Sequence, residues 1–253
     1  MTPDWVGPFS AFLSSVTWAL GSSVYSRHSA TRSAFSINFT RAAIALPMFV
    51  LASFVVAGGW SQGLLAFGGL EARHFGWFGL SMIASYAVGD VFFLLSTRSL
   101  GVPGALAIAS SYPLWTALAG RDPLSLLQWF GLLVALGGIA VVIVYAPQAT
   151  GKAKAETTGR KSVGVLLALG TSFFWALNSY SVSRGGEGML APVGNCVRMA
   201  WALLLTFLLS RIWRRPGETM LIPRKVLGRD LWVFVFESFA GSYLFVYGLA
   251  HSP

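Results

Sequence analysis

The chain has 253 residues, 55% of them apolar and only 11% charged, with a net charge of +9. Soluble domains carry about a quarter charged residues, so this composition excludes an ordinary water-soluble protein and points to the bilayer. The positive balance does not imply nucleic acid, because the basic residues lie mostly in loops beside apolar stretches rather than on one amphipathic face.

A hydrocarbon core about 30 Å thick takes roughly 20 apolar residues per helix. Eight stretches meet that need: 5–25, 35–58, 75–97, 103–120, 125–146, 162–183, 189–210 and 230–250. The expected fold class is therefore all-α, a polytopic membrane protein with eight spans present. Span 1 starts directly behind Asp4, with no basic n-region and no small-residue cleavage site, so it is expected to remain in the mature chain. Spans 2 and 7 carry Arg41 and Arg198 near their starts, and span 3 carries Tyr86 and Asp90. Span 4 opens at Gly101, Pro103 and Gly104, and it contains Ser110, Ser111, Tyr112 and Pro113, the last a helix break that frees a backbone carbonyl. Between spans 5 and 6 the segment 147–161 reads as a solvated linker, and 211–229 is the other substantial loop. The single cysteine, Cys196, lies within span 7 and reads as a packing residue.

Lys and Arg divide unevenly between alternate sides. Loops after spans 1, 3, 5 and 7 hold 13 and the other side holds three, which places the N-terminus outside and the 147–161 and 211–229 loops in the cytoplasm. Trp5, Trp60, Trp77, Trp129, Trp213 and Trp232 fall near span ends, as residues of an interfacial belt do.

The chain also repeats itself. Residues 6–51 laid over 163–208 without gaps give 17 identities in 46 positions, including Trp18-Ala19-Leu20 over Trp175-Ala176-Leu177, Ser26-Arg27 over Ser183-Arg184, Asn38 over Asn195 and Arg41 over Arg198. A weaker match at an offset of 152 pairs span 3 with span 8 through Gly89 and Gly241. A unit with five spans, an odd number, re-enters the membrane inverted, the arrangement that many secondary transporters use.

WALGSSVYSR followed by Asn38 and Arg41, its echo WALNSYSVSR with Asn195 and Arg198, and RSLGVPGALAIASSYPLWTALAG resemble the EamA family of the drug/metabolite transporter superfamily. The likeness runs the whole length. It implies ten helices in two five-helix repeats, a central cavity lined by the first four helices of each, and export or exchange of amino acids, other metabolites or toxic organic compounds without ATP. It also implies a multi-pass protein of the bacterial cytoplasmic membrane, with a first repeat at 5–146, a charged linker at 147–161 and a second, incomplete repeat at 162–253. The two helices that would mirror spans 4 and 5 do not precede Pro253, so the expectation is a fragment or a shortened protein whose cavity a partner closes, a homo-oligomer being one such arrangement. Span 4, with Asp122 soon after Pro113, looks about one turn short, roughly four residues. Family members are expected to keep their termini in the cytoplasm, against the outside N-terminus that the charge count gives.

An ionisable group inside a span is a functional candidate, since a charge at the bilayer centre costs at least about 2.5 kcal/mol. Asp90 is the candidate proton carrier or contact for a cationic group, and Glu237 in span 8 is expected across the cavity from it. Arg41 and Arg198 either snorkel to headgroups or receive a substrate carboxylate. The cavity lining is expected to be aromatic and weakly polar, from Trp18, Tyr86, Ser110, Ser111, Tyr112, Trp175, Asn178, Tyr180 and Tyr243, a set suited to a small amphipathic organic solute. The partners expected are thus membrane lipid and a small-molecule substrate. No phosphate-binding loop, HExxH, GxSxG or Cys/His pair occurs, so neither a cofactor, a metal nor enzymatic chemistry is expected.

Overall fold

The computed structural model describes residues 5–119, 125–145, 160–213 and 215–251. All regular structure among them is helical: α1 Val6–Ser29, α2 Ala34–Val56, α3 Trp60–Gly68, α4 Ala72–Met82, a π-helical turn π1 Ile83–Gly89, α5 Asp90–Ala109, α6 Tyr112–Ala119, α7 Leu126–Tyr145, α8 Lys161–Gly186 and α9 Ala191–Trp213. Then come α10 Arg224–Leu227, a 3₁₀ turn Gly228–Asp230, α11 Leu231–Val235, a second π-helical turn π2 Phe236–Gly241, and α12 Ser242–Ala250. Most of the linker 147–161, and Arg121 and Asp122, on which the shortness of span 4 rests, lie outside the described residues.

Among the described residues, five helical stretches are long and apolar enough to cross a membrane: Ala34–Val56, Ala72–Leu118, Lys161–Gly186, Ala191–Trp213 and Arg224–Ala250. The chain is therefore an integral membrane protein. The expected eight would add α1, α7 and a second crossing within Ala72–Leu118. The 24 residues of α1 are long enough but carry Ser10, Ser14, Ser15, Thr17, Ser22 and Ser23. Their hydroxyls largely turn back on their own helix, as Ser10 Oγ does to the Val6 carbonyl at 2.8 Å and Ser15 Oγ to the Ala11 carbonyl at 3.0 Å. Ala72–Leu118 holds 47 residues. As one straight helix it would run about 70 Å, more than twice a bilayer core. It is interrupted at Gly101, where φ is 71° and ψ 167°, and again at Ser110–Ser111. Only glycine takes that backbone angle cheaply. Pro113 falls in the first turn of α6, directly after the interruption at Ser110–Ser111, where a missing N–H costs nothing.

The chain forms two compact units, one of residues up to Ala87 and from Ser179 onward, the other Val88–Asn178. Each unit draws on both sequence halves. In the first, α2 and α9 lie along each other, α4 packs on α9, and α1 packs on π2 and α12. The α2–α9 seam is built on Ala42, Ala45, Phe49, Met199 and Ala202, with Met82, Tyr86 and Cys196 in the same buried cluster. Small side chains let two membrane helices approach closely, and here they occupy mated positions, Ala45 and Ala202. In the second unit α5 packs on α7, Phe92 meets Phe174 edge-on at 5.9 Å and Trp115 meets Phe173 likewise.

One end of the first unit is strapped. Ser33 caps α2, its side chain accepting the Ser36 N–H, and the Ser33 N–H donates at 2.7 Å to the buried carboxylate of Glu218. Glu218 thus does from a distant loop what a glutamate three residues into the helix does in a capping box. Arg215 donates to the Ala30 and Ser29 carbonyls at the end of α1, Ser36 Oγ shares its one proton between the carbonyls of Thr219 and Met220, and the Ile222 N–H donates to Thr40 Oγ1. Arg27 and His28 both reach Asp230, at 3.1 Å. At the other end of this unit, where α9 begins, a cavity of about 270 Å³ is lined in part by Glu71, Arg73, His74 and Glu187.

Candidate functional site

The π turns place the most unusual chemistry. A π-helical turn widens the helix and mismatches its backbone bonding, and such turns cluster at functional sites. Glu237 is the second residue of π2, 4% exposed. Its Oε1 accepts from Arg41 Nη2 at 3.1 Å, and its Oε2 accepts from Arg41 Nε at 3.2 Å and from the Tyr25 hydroxyl. Arg41, 3% exposed, also donates through Nη1 to Asn38 Oδ1 at 2.9 Å. Its guanidinium lies near three rings: Trp18 at 5.1 Å, Tyr25 at 4.7 Å and Tyr86 at 4.6 Å to the centroid. A desolvated cation gains about 2 kcal/mol from a ring face. Asn38 Nδ2 donates at 2.8 Å to the carbonyl of Tyr86, within π1, so the two π turns meet one cluster through neighbouring residues of α2.

Arg198 repeats part of this pattern. Its Nη1 donates to Asn195 Oδ1 at 2.9 Å, Nε donates to Ser81 Oγ at 3.2 Å, and Phe245 faces it at 5.5 Å. Asn195 Nδ2 donates at 3.1 Å to the carbonyl of Ser242, next to π2. Both arginines are 3% exposed. Their charges are met inside the protein, where snorkelling would have drawn them outward.

Asp90 belongs to the second unit, where its Oδ1 accepts from Trp175 Nε1 at 3.1 Å, and the ring of Trp175 lies 5.4 Å from that of Phe93. Glu237 and Asp90, expected to face each other, are each engaged within their own unit. Ser111 Oγ shares a 2.9 Å hydrogen bond with Ser172 Oγ, which also accepts from Trp115 Nε1. Ser110 is the C-cap of α5, Tyr112 opens α6, and Asn178 is buried in the last third of α8. Tyr180 is 37% exposed and meets Trp77 edge-on and Arg184 at 5.5 Å, away from the Arg41 cluster. Tyr243 stacks on Tyr247 at 5.8 Å and packs against the α2–α9 core. The structure thus gathers Trp18, Arg41, Tyr86 and Glu237 and adds Tyr25, which carried no repeat signal because its mate is Val182. Asn38 and Asn195 were visible as mates, and their roles as donors to backbone carbonyls at the π turns required the structure.

Comparison with family models, curated proteins and solved structures returns no match. The likeness to the EamA family therefore rests on the sequence motifs, and function has to be argued from the site.

Proposed function

We propose that this chain is a membrane transporter that moves a small organic metabolite, an amino acid or a similar solute, by alternating access without ATP, as an exporter or exchanger of the EamA type in a bacterial cytoplasmic membrane. In this reading the fold is an inverted repeat of five-helix units with eight spans in the present sequence, and the activity is binding and translocation, with no covalent chemistry. The observation that carries it is the buried Arg41–Glu237 pair on a π turn, together with its partial echo at Arg198 and Asn195. Ionisable side chains are expensive within membrane helices and persist where they serve a pathway or a moving element. The recurrence of the buried arginine, at the mated positions Arg41 and Arg198, is what two inverted halves need if each is to take the other's conformation in turn.

The closed strap at one end of the first unit and the cavity at the other support a unit that differs in accessibility between its two ends. The test is solute counterflow in liposomes containing the purified full chain, with amino acids and amphipathic amines as probes. Uptake that Arg41→Ala and Glu237→Gln each reduce at least tenfold supports the reading, and flux no greater than in empty liposomes across the panel sinks it. A second reading, a non-transporting assembly partner, draws on the same ion pair, since a fully engaged pair also suits a static core. It requires stable complexes in mild detergent and no flux.

A further inference from the structure

The backbone of each π turn ends at a glycine whose carbonyl is met by a hydroxyl from another helix. Ser14 Oγ on α1 donates to the Gly241 carbonyl at 2.9 Å, and Thr171 Oγ1 on α8 donates to the Gly89 carbonyl at 3.3 Å. Ser14 and Thr171 are 157 residues apart, and Gly89 and Gly241 are 152 apart, so all four fall in the repeat frames. Each bond therefore links the first helix of one sequence half to the third helix of the other. Gly89 and Gly241 are also the N-cap residues of α5 and α12, so each carbonyl opens the ladder of the following helix and offers its second lone pair to the hydroxyl. The approach is close: a Cβ on Gly241 would collide with Thr17 Oγ1, and one on Gly170 would lie 2.8 Å from the Phe92 ring.

The two bonds differ in one respect. A threonine hydroxyl has a single proton, and Thr171 Oγ1 is also 2.9 Å from the Leu167 carbonyl in its own helix, nearer than Gly89. Ser14 has the same type of fallback, the carbonyl of Ser10 four residues back, but engages Gly241. Exchanging one carbonyl acceptor for another changes little free energy, which suits an element that must switch readily.

We propose that Ser14 and Thr171 are alternating latches on the two π turns. In this conformation Ser14 holds π2 while Thr171 rests largely on its own helix, and in the opposite conformation Thr171 holds π1 while Ser14 falls back. The alternation rests on the alternating-access reading; the holding of each π turn by its hydroxyl does not.

The experiment is amide hydrogen exchange of the full chain in lipid nanodiscs, comparing peptides over 83–93 and 236–245. Loss of one neutral hydrogen bond near 1 kcal/mol corresponds to about a five-fold change in opening. Ser14→Ala is expected to speed exchange in 236–245 about five-fold and to slow it in 83–93, as the population moves toward the state latched by Thr171. Thr171→Ala should shift both peptides the other way, and Ser14→Thr, which keeps the hydroxyl, should behave as the parent. Unchanged exchange in Ser14→Ala, or the same change in Ser14→Thr, overturns the latch; a change confined to each variant's own turn overturns the alternation. Should Ser14→Ala not fold, the Thr171 pair, Thr171→Ala against Thr171→Ser, carries the same reciprocal test. Reciprocal exchange in a protein that moves no probe in liposomes would leave the latch standing and remove the transport reading.

Discussion

Glu237 binds the guanidinium of Arg41 at two points, 3.1 Å and 3.2 Å, across 196 residues of sequence. Both side chains are almost fully buried, at 4% and 6% exposure. The pair ties α2 to π2, and Tyr25 ties α1 to the same carboxylate. Burying two charges is costly, and the geometry offsets that cost by giving the carboxylate three donors and the guanidinium three ring neighbours.

This arrangement makes a specific prediction for stability. Glu237→Met leaves a buried cation without its carboxylate and should destabilise the protein by about 3–5 kcal/mol, whereas the double replacement Arg41→Met with Glu237→Met should cost clearly less than the singles Arg41→Met and Glu237→Met combined. Denaturant unfolding of the four proteins in one detergent gives the cycle. Additive costs would mean that the pair is not coupled. Arg41→Lys should fall with the disruptive variants, because an ammonium cannot bind two carboxylate oxygens and Asn38 in one plane.

How much of this could be read beforehand differs from residue to residue. The apolar stretches marked the chain as helical and membrane-spanning, since length and composition suffice to recognise such a stretch, but they did not give the number of crossings, eight expected against five among the described residues. Arg41, Arg198 and their asparagines stood out as mates because identity at a fixed offset is visible in a linear string. Which carboxylate Arg41 would meet was not visible: Glu237 and Asp90 look alike in sequence, and only packing assigns Glu237 to Arg41 and gives Asp90 the indole of Trp175. The π turns also escaped, since Ile83–Gly89 and Phe236–Gly241 have ordinary helical composition and differ only in backbone bonding.

In the second unit, Trp175→Phe keeps the ring against Phe93 but removes the Nε1–H that Asp90 accepts. Loss of that donor should cost about 1–3 kcal/mol, and Trp175→His, which retains a ring N–H, should recover part of it. Unfolding midpoints compare the two. Equal losses in both would assign the role of Trp175 to its size and not to its hydrogen bond.

Gly21 controls how closely α1 approaches π2. A Cβ there would lie 2.8 Å from Glu237 Cγ and 3.1 Å from the Tyr25 ring. Gly21→Ala should raise helix propensity yet destabilise the protein by about 1–3 kcal/mol, because the added methyl pushes the carboxylate away from Arg41. If the ion pair is what suffers, combining Gly21→Ala with Arg41→Met and Glu237→Met should cost less than in the parent background. Melting curves of the set decide it, and an undiminished cost would assign the effect to overpacking alone.

The strap tests whether closure of one end is held by a few identifiable bonds. Glu218 is 7% exposed and accepts the Ser33 N–H at 2.7 Å and the Arg215 N–H at 3.3 Å, so it steadies both the start of α2 and its own loop. A carboxylate at a helix N-terminus also gains about 0.3–1 kcal/mol from the helix dipole, a contribution an amide lacks while still accepting the hydrogen bonds. Glu218→Ala should therefore loosen the strap by about 1–2 kcal/mol and Glu218→Gln by less. Arg224 and Lys225 lie just beyond the strap in the short helix α10 and offer tryptic sites. Cleavage there in detergent should quicken about five- to thirty-fold in Glu218→Ala, the ratio expected for that free energy when opening is rapid. Glu218→Gln should fall between it and the parent. Equal cleavage in all three proteins would mean that the remaining bonds, from Arg215, Ser36 and Thr40, close this end without help from the carboxylate.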